Sequence, residues 1–151
     1  SNLAAAFTLF DTLAIIRDEF INRAARSDLA GTRAFLLMDG CGGKIDDVSS
    51  SATAYAHRGA LFSAQFGVTW NGVANPSVAG PANEAWLDEL YAAILPGFDG
   101  GCYPGYWDAK IVDWPNLYYG GNFDRLVQAK AVYDPTDFFR FQRSIPLDPR
   151  G

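Results

Sequence analysis

Apolar positions along the chain follow two periods, and each change of period predicts a change of element. From Ala4 to Arg26, Leu9, Leu13, Ile16, Phe20 and Ala24 recur at spacings of four, three, four and four, the stripe of an amphipathic helix with one buried face. Arg33 to Met38 reads Arg-Ala-Phe-Leu-Leu-Met, a short apolar run that Asp39-Gly40-Cys41-Gly42-Gly43 breaks. This predicts a strand, a glycine turn and a second strand near 44–48. Between Leu61 and Trp70 the pattern alternates, with Phe62, Ala64, Phe66, Val68 and Trp70 on one face and Ser63, Gln65, Gly67 and Thr69 on the other. That is the clearest strand in the chain. Residues 71–80 read as a loop, after which Pro81 and Asn83 open a predicted helix. Leu87, Leu90, Tyr91 and Ile94 in it have i, i+3, i+4, i+7 spacing, and Pro96-Gly97 ends it.

Phe98-Asp99-Gly100-Gly101 is the sharpest punctuation, so a boundary is expected near residue 100, dividing 1–100 from 101–151. Beyond it the chain turns aromatic and irregular, and Asn122 is expected to cap a last helix carrying Phe123, Leu126, Val127 and Lys130. Asp134-Pro135 stops that helix. Helices and strands in this order lack the regular alternation of a doubly wound sheet. The predicted fold class is α+β, an antiparallel sheet with helices packed on one face.

Composition narrows the function. With 151 residues, 49% hydrophobic and 19% charged, the chain is a folded domain and not a disordered one. Twelve Lys+Arg against seventeen Asp+Glu give a net charge of −5, which argues against nucleic acid and anionic membrane surfaces as partners. No apolar stretch approaches the roughly 18 residues of a spanning helix. Two cysteines far apart and one histidine cannot assemble a zinc site of the usual N/S type. A Cys41–Cys102 disulfide is left open and the compartment is undetermined, since Asn75-Pro76-Ser77 carries proline at the position a glycosylation sequon excludes. Ser1 in place of Met leads to the expectation that the chain is part of something longer.

Candidate chemistry is sparse. His57 lies in no nucleophile-elbow context, and its expected role is a hydrogen bond to a nearby carbonyl or carboxylate. Ser63, Gln65, Gly67 and Thr69 form a strand face without a charge. Such a face suits either a covered cavity, where each polar group must be hydrogen-bonded, or a solvent face that happens to lack Lys and Glu. Tyr103 and Tyr106 flank Pro104-Gly105, where proline argues for a bent segment rather than a central strand. No GxGxxG or GxxxxGK[ST] phosphate cradle is present.

The ordered series Tyr103-Pro104-Gly105-Tyr106-Trp107-Asp108, Trp114, Tyr118-Tyr119-Gly120-Gly121-Asn122-Phe123-Asp124-Arg125-Leu126, Lys130, Tyr133-Asp134-Pro135, Phe138-Phe139-Arg140 and Ser144-Ile145-Pro146 resembles the C-terminal signature of the berberine-bridge-enzyme-like FAD-linked oxidases. Upstream, Gly42–Val48, Ala52–Arg58 and Leu61–Phe66 with Trp70 resemble the same family's substrate-binding domain. Two departures stand out: Gly105 replaces the usual asparagine of Y-x-N-Y-x-D, and Gln142-Arg143 replaces Pro-Gln, the second read as peripheral.

The resemblance implies the C-terminal part of an FAD-dependent oxidoreductase that oxidises an alcohol or activated C–H group. Hydride passes to flavin N5, with dioxygen the expected acceptor. It implies that 1–100 are part of the substrate domain, and that 101–151 dock on a flavin domain absent from this chain. The implied catalytic residue is Tyr103, with Gln65 and Tyr106 on the substrate and Tyr106 and Asn122 on the cofactor. It also favours the cavity reading of Gln65. A phenol titrates near about 10 in water, so a tyrosine base needs a neighbour to stabilise phenolate. Tyr106, Gln65 or an element outside the chain could supply it. Without the flavin domain this chain is expected to be inactive and to self-associate through apolar surface around Tyr103, Trp107 and Trp114. A free-standing, non-catalytic ligand-binding α+β module is the alternative.

Overall fold

The computed structural model describes residues 2–148, with side chains from Phe10 onward. The chain divides into two compact units. One holds the residues up to Asp39 together with Ala64–Gly100, and the other holds Gly40–Ser63 and the residues from Gly101 onward.

In the first unit, helix α1 (Asn2–Ala24) is followed by a 3-10 turn (Ser27–Leu29) and strand β1 (Arg33–Gly40). Strand β2 (Phe62–Thr69) leads into helix α2 (Pro76–Ile94). The strands form a two-stranded antiparallel sheet. Just past their ends Cys41 N–H donates to Leu61 O at 2.9 Å. The Phe35 ring lies over Gly67, where a Cβ would fall 2.0 Å from Phe35 Cζ. Both observations give one register, which sets Leu37 opposite Gln65. Alternation then sends Ala34, Leu36, Phe66 and Val68 inward, where they pack against Ile16, Leu29, Trp86, Leu90 and Ile94. Phe20 meets Trp86 edge to face at 5.4 Å. The α+β expectation and the placing of helices on one sheet face hold.

Three local expectations are corrected. The buried stripe of α1 keeps Ile16 and Phe20, but Leu13 and Ala24 are exposed, and Thr12 and Arg23 are buried in their place. The side chain of Leu9 lies outside the described residues. Helix α2 begins at Pro76, five residues before the predicted start, because proline in a first turn gives up an N–H with no intrahelical partner. Asn75 O accepts from Val78 and Ala79 N–H at 3.2 and 3.1 Å, and Pro81 sits exposed inside the helix. Asn83 does not cap: it is fully buried, with Nδ2 on Ala79 O at 2.7 Å and Oδ1 accepting from Arg23 Nη2 at 2.5 Å. The strand predicted near 44–48 is a 3-10 turn (Gly43–Ile45). Gly42 and Gly43 take φ values of 106° and 55°, a backbone path that turns the chain out of an extended run.

The second unit contains helix α3 (Trp114–Tyr119), a 3-10 turn (Gly120–Asn122) and helix α4 (Phe123–Tyr133). The last stops at Asp134-Pro135 as predicted. Asn122 occupies the residue before α4 but makes no side-chain cap bond. Its Nδ2 instead donates to Ser50 O at 2.6 Å, tying the 49–53 turn to the helix pair, and Arg125 donates to Ser51 O beside it.

Candidate active site

Residues 102–108 form an arch whose ends are pinned to α3 through the backbone. Cys102 N–H donates to Leu117 O at 2.8 Å, and Asp108 N–H donates to the hydroxyl of Tyr118 at 2.9 Å. Tyr118 is 1% exposed, and its own carbonyl accepts from His57 Nε2 at 3.2 Å. A carbonyl only accepts, so Nε2 carries the proton, and His57 has the role its sequence context predicted.

From the far side Arg143 donates through both terminal nitrogens to the carbonyls of Asp108 and Ala109, and its guanidinium lies 5.6 Å from the centre of the Trp107 ring. Arg143 takes φ 63°, an uncommon conformation for a residue with a side chain. It is therefore a clamp on the signature segment rather than the peripheral substitution its position suggested. Nothing in the sequence marks a bond to carbonyls 34 and 35 residues away.

Between the pins, Tyr103-Pro104-Gly105-Tyr106 is a β-turn closed by Tyr106 N–H on Tyr103 O at 3.0 Å, with proline and glycine at its centre. The turn presents two phenols. Tyr103 is 48% and Tyr106 44% exposed, and their rings meet edge to face at 5.3 Å. Tyr103 also meets Tyr55 edge to face at 6.1 Å, and Tyr55 carries the Arg58 guanidinium 4.8 Å from its ring centre. The turn, bonded to α3 at both ends, packs the Tyr103 ring against Tyr55 and Tyr106 and leaves about half of the residue exposed.

Beneath the arch, Phe123 packs on Trp114 at 5.5 Å and Tyr119 at 6.3 Å. Trp114 is only half-buried, and burial pushes the Tyr119 phenol pKa up, with Tyr118 adding to the rise. At the C-terminal side, Lys130 Nζ pairs with Asp134 Oδ2 and, at 2.9 Å, with Asp137 Oδ1, and donates to Phe139 O at 2.8 Å. Asp134 in turn accepts from the backbone N–H groups of Phe138 and Phe139 at 2.8 and 3.0 Å. The hydrogen bond between them raises the Lys130 pKa and lowers that of Asp134.

Of the predicted site residues, the structure brings Tyr103 and Tyr106 into contact, and places Asn122 in the same unit with its amide on Ser50 O. Gln65 lies in the other unit, half-buried on the sheet face turned away from the core, beside Phe35 and Leu37, which are 44% and 45% exposed. Cys41 and Cys102 are not joined by a disulfide. Among the described residues no group of His, Cys, Asp and Glu could hold a metal ion, and no helix is long and apolar enough to cross a membrane.

Residues 102–146 match the family model described as berberine and berberine like. The chain is 34% identical over 122 residues to aclacinomycin-N/aclacinomycin-A oxidase of Streptomyces galilaeus, covering 69% of this chain and 22% of the relative. It is 29% identical over 136 residues to hexose oxidase of Chondrus crispus, covering 75% and 24%. The crystal structure of aclacinomycin oxidoreductase superposes with a TM-score of 0.69 at 28% identity, over 85% of this chain and 29% of that one. The chain thus spans about a quarter of the length of the proteins it matches.

Proposed function

We propose, from the premise that residues 102–146 match the berberine and berberine-like family and that the chain is similar to oxidases and FAD-linked oxidoreductases, that it is the C-terminal substrate-side portion of an FAD-dependent oxidoreductase acting on an alcohol. The observation that carries this reading is the half-exposed Tyr103, fixed on a turn pinned at both ends to α3.

Tyr103 accepts the proton of the substrate hydroxyl as the carbon beside it is oxidised to a carbonyl, which requires its oxygen within roughly 3 Å of that hydroxyl. Tyr106, edge to face with it, lines the substrate and the cofactor ring. Gln65 supplies a neutral polar contact to the substrate from its strand. FAD, when bound, supplies the two-electron acceptor, and dioxygen takes those electrons on as hydrogen peroxide. The residues present suit the ring end of that group. In the first unit the sheet face around Gln65 is uncharged apart from the strand ends, and in the second the turn presents two half-exposed aromatic rings. The phosphate end needs a cradle that the sequence lacks, so a flavin domain outside this chain is its partner. Asn122, whose amide is held by Ser50 O, is the residue of this unit proposed to face the cofactor beside Tyr106.

The test is anaerobic mixing of the full-length, FAD-loaded protein with an aldohexose and with an allylic alcohol. Flavin bleaching is expected with at least one, and Tyr103→Phe is expected to slow it by about 100-fold or more. Bleaching by Tyr103→Phe within about threefold of the parent would show that Tyr103 is not the base.

A further inference from the structure

The turn that carries Tyr103 contains a glycine whose small size, not its backbone freedom, is what the structure uses. Gly105 does not take a positive φ, so any residue could adopt its backbone. A side chain could not fit: a Cβ built on Gly105 would stand 2.4 Å from Tyr103 Cε1, 2.9 Å from Cζ and 3.2 Å from Cδ1. The Tyr103 ring lies folded over its own turn, filling the place a side chain at residue 105 would take. It is the same ring that packs edge to face against Tyr55 and Tyr106.

We propose that Gly105 is a positioning residue for Tyr103, its missing side chain setting where the tyrosine hydroxyl stands and so which substrate hydroxyl it reaches. The inference rests on the reading of Tyr103 as the base. Ordinary contact needs about 3.4 Å, so the smallest side chain at 105 must displace the ring edge by 3.4 − 2.4, about 1 Å, or move the turn. The turn resists, because Cys102 and Asp108 are bonded to α3 and Arg143 holds Asp108 and Ala109. The ring therefore moves. A displacement of about 1 Å in a reacting group costs on the order of 100-fold in rate.

The test uses Gly105→Ala and Gly105→Asn, with Gly121→Ala as control, since a Cβ at Gly121 meets nothing within 4 Å. Tyrosine-ring NMR of this 151-residue chain, with Tyr103 assigned by Tyr103→Phe, reads ring position without any reaction. The Tyr103 signals are expected to shift in both Gly105 variants, and to stay in place in Gly121→Ala. In the full-length FAD-loaded protein, with the same aldohexose and allylic alcohol, flavin reduction is expected to slow by about 100-fold while substrate Kd changes less than about threefold. In a Tyr103→Phe background the Gly105 substitution should have no further effect. Unmoved Tyr103 signals overturn the inference whatever the reaction. A moved ring with unchanged reduction overturns it alone if Tyr103→Phe still slows the enzyme. If Tyr103→Phe is also silent, the reading of Tyr103 as base fails with it.

Discussion

Asn83→Leu is expected to destabilise the protein through the charge it strands. Arg23 is 7% exposed, and its Nη2 donates to Asn83 Oδ1 at 2.5 Å and Thr32 Oγ1 at 2.6 Å. The guanidinium lies 4.9 Å from the centre of the Trp86 ring, and burial, with Arg26 nearby, lowers the Arg23 pKa from its ordinary value. Leucine keeps the branched outline of asparagine, with somewhat larger methyl groups, but removes the acceptor, leaving a buried guanidinium with Thr32 as its remaining side-chain acceptor. A hydrogen bond to a charged group contributes about 1.5–3 kcal/mol, so a loss of about 2 kcal/mol is expected. With a urea m-value of about 2 kcal/mol/M the midpoint should fall by about 1 M, read by far-ultraviolet circular dichroism. Removing both partners in Arg23→Met/Asn83→Leu should recover at least half of the loss, because no charge is then stranded. A single variant within about 0.5 kcal/mol of the parent, or a double variant whose losses simply add, would refute the reasoning.

Gly67→Ala places a Cβ 2.0 Å from Phe35 Cζ and should cost about 1–3 kcal/mol in urea unfolding, a cost that Phe35→Ala should largely relieve. The Lys130–Asp134 lock should hold the 134–139 segment over a defined pH range. The depressed Asp134 pKa contributes stability present above about pH 4 and lost as pH falls through the folded value. The raised Lys130 pKa contributes stability present below about pH 10.4 and lost as pH rises through the folded value. Hydrogen-exchange protection of the Phe138 and Phe139 amides should be flat between these limits and drop outside them. Protection unchanged at pH 2 would show that the carboxylate is not what holds them.

How much of this was legible in the sequence depended on whether a residue's role is local. The period-2 alternation of 62–70 placed Phe66 and Val68 against the core and Gln65 on the opposite face, because alternation is a property of the extended backbone itself. The stop of α4 at Asp134-Pro135 was legible for the same reason, since proline restricts its own neighbour. So was the tyrosine turn, whose Pro104-Gly105 centre is turn chemistry, and the family resemblance carried by the ordered series around it.

Tertiary structure decided the rest. Helix periodicity counted apolar residues and chose Leu13 and Ala24, whereas Arg23 is buried because Asn83, 60 residues on, supplies its acceptor. The strand expected near 44–48 gave way to a 3-10 turn because Gly42 and Gly43 take a positive-φ path that turns the chain out of an extended run. Asn122 looked like a cap, but its backbone is already helical at φ −87° and ψ −10° and its amide donates to a distant carbonyl, Ser50 O; Arg143 looked incidental until its two carbonyls came within reach. For Arg23, Asn122 and Arg143 the deciding partner is far along the chain, and local sequence holds no record of which distant polar group will arrive.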